Sequence, residues 1–396
     1  MPRTTHYRLA GGAAIAATLL LAGCASSPGA TTESTATPDA AAASDTRVTL
    51  TYDGGLYVLD GETLDVLADI PLEGFNRVNT AGDGRHVFVT TTDGFQVLDT
   101  GAGAGEPELT DVLFPAVEAG HVVKHEGKTV LFADGTGDIT IFDTDAVTNE
   151  GLPESETVAS EAAHHGVAIE LADGTLLSTI GTSEARTGVR VLDESRTETA
   201  RNEECPSVHG EGTVKGEVAV FGCSDGVLVY ADGEFTKVAA PDAYGRTGNA
   251  YVTDTSSLMV GDYNSNPDSE GYLLSKLALV DTETKTMQVV DLPEGVEYTW
   301  RDVARGPSDE ILVLSADGSL YVLDETGAVT DSYPVIEAWE SPVEWQDAHP
   351  ALSVVDGVAY VTEPAAKKIH AIDVATGEIL TSATLDAAPN EIAVVN

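Results

Sequence analysis

Positive charge is scarce in this 396-residue chain: 20 Lys and Arg stand against 65 Asp and Glu, a formal net charge of -45. A surface that acidic repels phosphate backbones, so nucleic acid is excluded as a partner. Cysteine is scarce too, and three residues are too few for a disulfide scaffold. Aromatics are 6% of the chain, so a core has to be built from Val, Leu and Ala. From residue 47 onward no segment carries the apolar period of an amphipathic helix, which leaves β structure. There is no G-x-S-x-G elbow and no GxxxxGK[ST] phosphate loop, and three tryptophans, Trp300, Trp339 and Trp345, give a stacked quinone cofactor little to rest on. What is present, 42% hydrophobic residues and 39 Gly concentrated in turn pairs such as Asp-Gly, suits one large β domain and excludes global disorder.

Residues 1–23 place Arg3 and Arg8 ahead of an apolar run from Leu9 to Ala22, the layout of a secretory signal and too short for a stable membrane span. The run ends in Leu21-Ala22-Gly23-Cys24, which resembles the lipobox of bacterial lipoproteins and implies cleavage before Cys24 and lipidation of its thiol. An ordinary signal peptide with a free Cys24 is the alternative. Residues 25–46, rich in Ser, Thr, Ala and Pro, read as a flexible tether, so 24–46 forms the anchor and 47–396 the folded body. The mature chain is expected on the outer face of the cell membrane or in the periplasm, as a monomer. In that oxidising setting Cys205 and Cys223, symmetric about Val214 in a Gly-rich stretch between two strand-like runs, face each other across a hairpin and predict a disulfide. Its loop closure contributes on the order of 3 kcal/mol. A thiolate metal site is the competing reading.

A short β run, a turn and a second run ending in a Val-Leu-Asp-like triplet recur eight times, with first runs starting at residues 47, 85, 128, 175, 217, 257, 310 and 358. Roughly 40 residues per unit match a four-stranded propeller blade. The fold class expected is all-β: a single β-propeller, of eight blades, or seven because the units at Thr175 and Ser257 are irregular. The innermost strand should precede each first run. The first unit has none, and PNEIAVVN at the C-terminus is a strand without a blade, so the last strand is expected to complete the first blade and close the ring.

Six histidines, His121, His125, His164, His165, His209 and His349, fall in or just before predicted inner strands, where a propeller brings distant residues to one mouth of its axial channel. His121 and His125 are about 13 Å apart along an extended strand, too far to share an ion. His164 and His165 face opposite ways if extended. A single site therefore draws on His121, one of His164 and His165, and His209, with Asp347 and His349, which share a face, able to add a ligand from across the channel. Imidazoles with a carboxylate or water at about 2.0 Å suit Zn²⁺ better than Ca²⁺ or Mg²⁺. Histidine also lines channels as a plain hydrogen-bonding group, and that reading stays open. The run DYNSNPDSEG alternates Asp262, Asn264, Asn266, Asp268 and Glu270 like a calcium loop, but Pro267 stands where such loops need Gly and no Glu closes the site.

The segments HHGVAIELADGTLLSTIG, RNEECPSVHGEG and VFGCSDGVLVY, with the lipobox, the propeller repeats and Asp347-Ala348-His349-Pro350, resemble the extracytoplasmic zinc metallochaperones of the AztD type, which accompany a zinc ABC importer and its solute-binding protein. The likeness covers most of residues 47–396. It implies a protein that is not an enzyme, binds zinc through propeller histidines and delivers it to the solute-binding protein. Members of that family can carry a His-rich flexible segment suited to transfer, whereas residues 25–46 contain no His. Two rival readings remain. One is a metal-dependent, lactonase-like hydrolase, for which a zinc-bound water is the nucleophile and no clear general base is evident, since Asp347 and Glu161 read equally well as ligands. The other is a protein-binding propeller scaffold without metal.

Overall fold

The computed structural model describes residues 45–269 and 271–396; the signal segment, Cys24, the tether up to residue 44 and Glu270 lie outside the described residues. Within them the chain is cut into strands of two to eight residues by Gly and Asp turns, and these form eight four-stranded antiparallel sheets. Seven sheets run in chain order from the inside out. Blade 3, for example, is built from Ala119–His125, Lys128–Ala133, Asp138–Asp143 and Ser155–Ala159. Blade 1 differs: its strands Arg47–Tyr52, Gly55–Asp60 and Val66–Pro71 take Ile392–Val395 as their innermost member, with Arg47 opposite Val395 and Leu50 opposite Ile392. The ring has eight blades and is closed by the C-terminal strand.

The two units that look irregular in sequence are complete sheets with very short inner strands, Ala168–Glu170 in blade 4 and Ala250–Tyr251 in blade 6. Middle strands are apolar on both faces because each blade is covered by a neighbour on either side, so Gly55–Asp60 and Leu176–Gly181 are buried along their whole length. Outermost strands such as Val329–Pro334 are mostly exposed. Between blades 2 and 3 the filling is aromatic: Phe88, Phe95, Phe114 and Phe142 pack with Leu131, each burial stabilising by about 1.5–3 kcal/mol. Gly94 shows why the tight turns need glycine, since its φ is +140° and a Cβ there would sit 2.1 Å from the Phe114 carbonyl oxygen.

Cys205 and Cys223 form a disulfide, with Cα atoms 4.9 Å apart and both residues fully buried in the core shared by blades 3, 4 and 5. It ties the approach to the inner strand His209–Val214 of blade 5 to the end of that strand's partner, Val218–Cys223.

Candidate metal centre

Three consecutive blades deliver His121, His165 and His209 to one mouth of the channel. His121 is the third residue of the inner strand of blade 3, His165 stands in the loop before Ala168–Glu170 of blade 4, and His209 opens the inner strand of blade 5. One ring nitrogen from each lies within 4.8 Å of the others, and the ring centroids are 4.8, 5.1 and 5.2 Å apart. His121 and His209 are half-buried, and His165 is exposed.

Two of these side chains are aimed by β-bulges. The ladder of blade 3 slips between Ala119 and Val122, and that of blade 5 between His209 and Glu211, where Gly210 has φ +63°. A bulge leaves a residue unpaired and re-aims it. Gly210 is required there, because a Cβ would stand 2.5 Å from the Gly248 carbonyl oxygen. That carbonyl in turn accepts a hydrogen bond from His209 Nδ1 at 2.5 Å. His121 Nδ1 donates to the Gly166 carbonyl at 2.8 Å, and His165 Nδ1 to Asp134 Oδ2 at 2.5 Å. Carbonyl and carboxylate oxygens only accept, so all three rings carry a proton on Nδ1 and, in the neutral form, present a bare Nε2 to the centre.

The consequence is unusual: Nε2 of His165 and Nε2 of His209 face each other at 3.2 Å, lone pair to lone pair. Such a contact is favourable only when a proton or a metal ion lies between the nitrogens. Tetrahedral zinc with bonds of about 2.0–2.1 Å wants its ligand nitrogens about 3.3 Å apart, and this pair already meets that spacing. Burial pushes His209 down to about 3, with the Gly248 carbonyl opposing and the charges of Arg186 and Arg246 among the forces adding to the shift. Burial, then the two neighbouring imidazoles and Arg77, hold His121 well below the usual range. Both therefore stay neutral and able to ligate near neutral pH.

The remaining candidates lie elsewhere. His164 is not brought into the group: its Nδ1 donates to the Ala162 carbonyl at 2.8 Å, its Nε2 pairs with Thr179 Oγ1 at 2.9 Å, and its ring packs edge-on against Phe132. Both nitrogens are used and the side chain is buried, so it serves the core. His349 and Asp347 are also apart from the three. His349 is buried beside Trp339 with its Nδ1 on the Asp347 carbonyl, and the Asp347 carboxylate accepts the Glu344 N–H. His125, at the far end of the strand that holds His121, pairs with Glu217 and Thr213. In the calcium-like run, the Asp262 carboxylate accepts the N–H groups of Gly248 and Asn249 and the Asn249 side-chain amide, while Asn264 bridges by backbone to Arg246.

Sequence reasoning misses the groups that fix the three imidazoles: Asp134, the carbonyls of Gly166 and Gly248, and Asp262, which holds the turn bearing Gly248. Asp134 sits in an Asp-Gly turn of the repeat, indistinguishable by letter from those of other blades. Each fixing group also comes from a blade next to that of its histidine. The centre opens on a cavity of about 740 Å³, lined further by Arg77, Glu211, Arg246, Tyr272 and Trp300.

No family model matches the chain. Among curated proteins it is 24% identical over 356 residues to "Zinc chaperone AztD" of Citrobacter koseri, covering 85% of this chain and 83% of that protein. The resemblance is to a zinc chaperone. The structure of apo AztD from Citrobacter koseri has the same fold, with a TM-score of 0.73 at 22% identity over 88% of this chain and 97% of that one. A second Citrobacter koseri AztD structure superposes equally well. The computationally designed Ika8 protein follows at a TM-score of 0.52 and 15% identity, covering 80% of this chain and 90% of its own.

Proposed function

We propose that the protein is an extracytoplasmic zinc metallochaperone, not an enzyme, which binds Zn²⁺ at His121, His165 and His209 and passes it to the solute-binding protein of a zinc ABC importer. The observation that carries this reading is the pair of bare Nε2 atoms at 3.2 Å beside a third imidazole, each ring fixed through its other nitrogen. Imidazoles ligate only in their neutral form, so zinc affinity falls once the pH drops far enough to protonate them. The likeness to a protein named a zinc chaperone supports the same reading.

A chaperone also has to release its metal. Three protein ligands leave a fourth position toward the cavity, and His165 is exposed, so an incoming ligand can enter and replace it first. Exchange at the mouth needs no histidine in the tether. The N-terminal signal, with Cys24 lipidated, would hold the body at the outer face of the membrane as a monomer. A hydrolase would need a free general base beside the open position. The carboxylate hydrogen-bonded to the centre, Asp134, is taken by His165 and by the Gly166 N–H, whereas Glu211, on the cavity wall and pushed up to about 7 by burial, is the group a hydrolase would use.

The test is zinc retention. The wild-type protein should keep one equivalent through exhaustive dialysis, and the His165→Ala/His209→Ala double variant should lose it while remaining folded. Full retention by that variant would refute the assignment, and turnover of a lactone or ester panel would favour the hydrolase.

A further inference from the structure

Cys205 and Cys223 are not ligands, yet the bridge between them touches both halves of the arrangement that aims His209. The first half is the chain that carries the ligand. Cys205 lies in the link 203–208, which leads from the outermost strand of blade 4, Glu198–Asn202, directly into His209. This link has no regular structure: Ser207 is left-handed, with φ +55°, and two hydrogen bonds tie it to blade 4, from the Cys205 N–H to the Thr187 carbonyl at 3.0 Å and from the Ser207 N–H to the Arg186 carbonyl at 2.8 Å. The second half is the oxygen that fixes the ring. The Cys223 carbonyl accepts the Thr247 N–H at 3.0 Å, and the next residue, Gly248, supplies the carbonyl that holds His209 Nδ1 at 2.5 Å. The bridge thus joins the segment bearing the ligand to the segment from which its support hangs.

Backbone pairing does little of this work at the same end of the hairpin. The register of the two strands begins at His209 opposite Gly222 and slips at once, with Glu211 opposite Phe221 and Gly210 left over. Just beyond that slip stand Cys205 and Cys223, both fully buried. The parts are also in direct contact, since a Cβ on Gly222 would stand 2.2 Å from the Thr247 carbonyl oxygen and 3.0 Å from that of His209. A ligand has to be held within about 0.5 Å of its working geometry, and a covalent link beside an irregular ladder limits the drift that single hydrogen bonds allow.

We infer that the Cys205–Cys223 bridge is a positioning element of the zinc centre, setting zinc affinity by keeping His209 and the Gly248 carbonyl in register. The inference rests on the zinc reading above. A bridge that only constrains the unfolded chain changes stability and leaves the affinity of the folded protein as it is. A positioning bridge changes the affinity itself, and only while His209 is there to be positioned.

The experiment is a double-mutant cycle on the full chain, with the zinc Kd measured by competition against a chelator in the wild type, His209→Ala, Cys205→Ala/Cys223→Ala and the combination of all three. Alanine is used because freed thiolates would bind zinc themselves. In the wild-type background, loss of the bridge should raise the Kd by about tenfold or more, the usual effect of removing a group that orients a ligand. In the His209→Ala background it should change the Kd by less than about twofold, because the two changes act through one contact. Circular dichroism and urea unfolding establish that each variant is folded under the conditions of the titration. Should the alanine pair fail to fold, Cys205→Val/Cys223→Ala refills the apolar volume of the bridge and completes the same cycle. A wild-type Kd in the folded bridge variant overturns the inference and leaves the zinc reading standing. Equal losses in both backgrounds do the same, since the bridge would then act on the blade as a whole. Zinc binding unaltered by His209→Ala removes both.

Discussion

At the scale of the residue, a histidine becomes a ligand through what its other nitrogen touches. His164 and His165 are neighbours in the chain, yet one has both nitrogens satisfied inside the core and the other offers a bare Nε2. Removing Asp134, as Asp134→Ala, should therefore weaken zinc binding by about 10- to 100-fold, the usual effect of losing such a partner, measured by competition with a chelator. His164→Gln should leave that affinity unchanged and lower stability by about 1–3 kcal/mol through unsatisfied buried groups, measured by urea unfolding. The opposite pattern would exchange the roles of the two histidines. The imidazoles themselves were legible, because a His before an inner strand is visible in the letters. The choice between 164 and 165 was not, since the strand begins only at Ala168 and alternation along an extended chain does not apply before it. The partners were hidden for another reason: two are backbone carbonyls, which every residue possesses.

At the scale of the element, the inner strands of blades 3 and 5 aim their histidines because they are irregular. Gly120 lies in the first bulge, and a Cβ there would stand 2.2 Å from Asp134 Oδ1. Gly210 lies in the second, in the left-handed region and hard against the Gly248 carbonyl. Gly210→Ala should move His209 off its carbonyl and reduce zinc affinity at least as much as loss of Asp134, with the fold retained; isothermal titration of zinc into the variant checks it, and wild-type affinity would show that the bulge does not position the ligand. The disulfide closes the same blade from behind. Blade periodicity could be read from the sequence because the two middle strands of each unit are buried on both faces and therefore strongly apolar. The bulges could not, since their register is set by the neighbouring blade, and inner strands of two or three residues, as in blades 2, 4, 6 and 7, are too brief to leave a pattern.

At the scale of the whole molecule, closure depends on the last few residues. Ile392–Val395 pairs with the first strand, and Glu391 binds Arg301 at 2.7 Å with both side chains buried. Deleting residues 391–396 removes an inner strand and leaves the Arg301 charge unpaired, a loss of about 3–5 kcal/mol from the ion pair alone. The urea midpoint should drop sharply, and a midpoint equal to that of the full chain would show that the ring does not rely on this strand. Strand counting made the closure legible, because an unpaired start and a spare end can be matched without knowing the geometry. One consequence concerns the order in which the chain is made. The residues that build the centre, from His121 to Asp262, have all been synthesised about 130 residues before Ile392. As the chain emerges N-terminus first, the pocket walled by these residues can thus assemble on a part-built toroid, while the seam stays open until the final segment has been released from the ribosome.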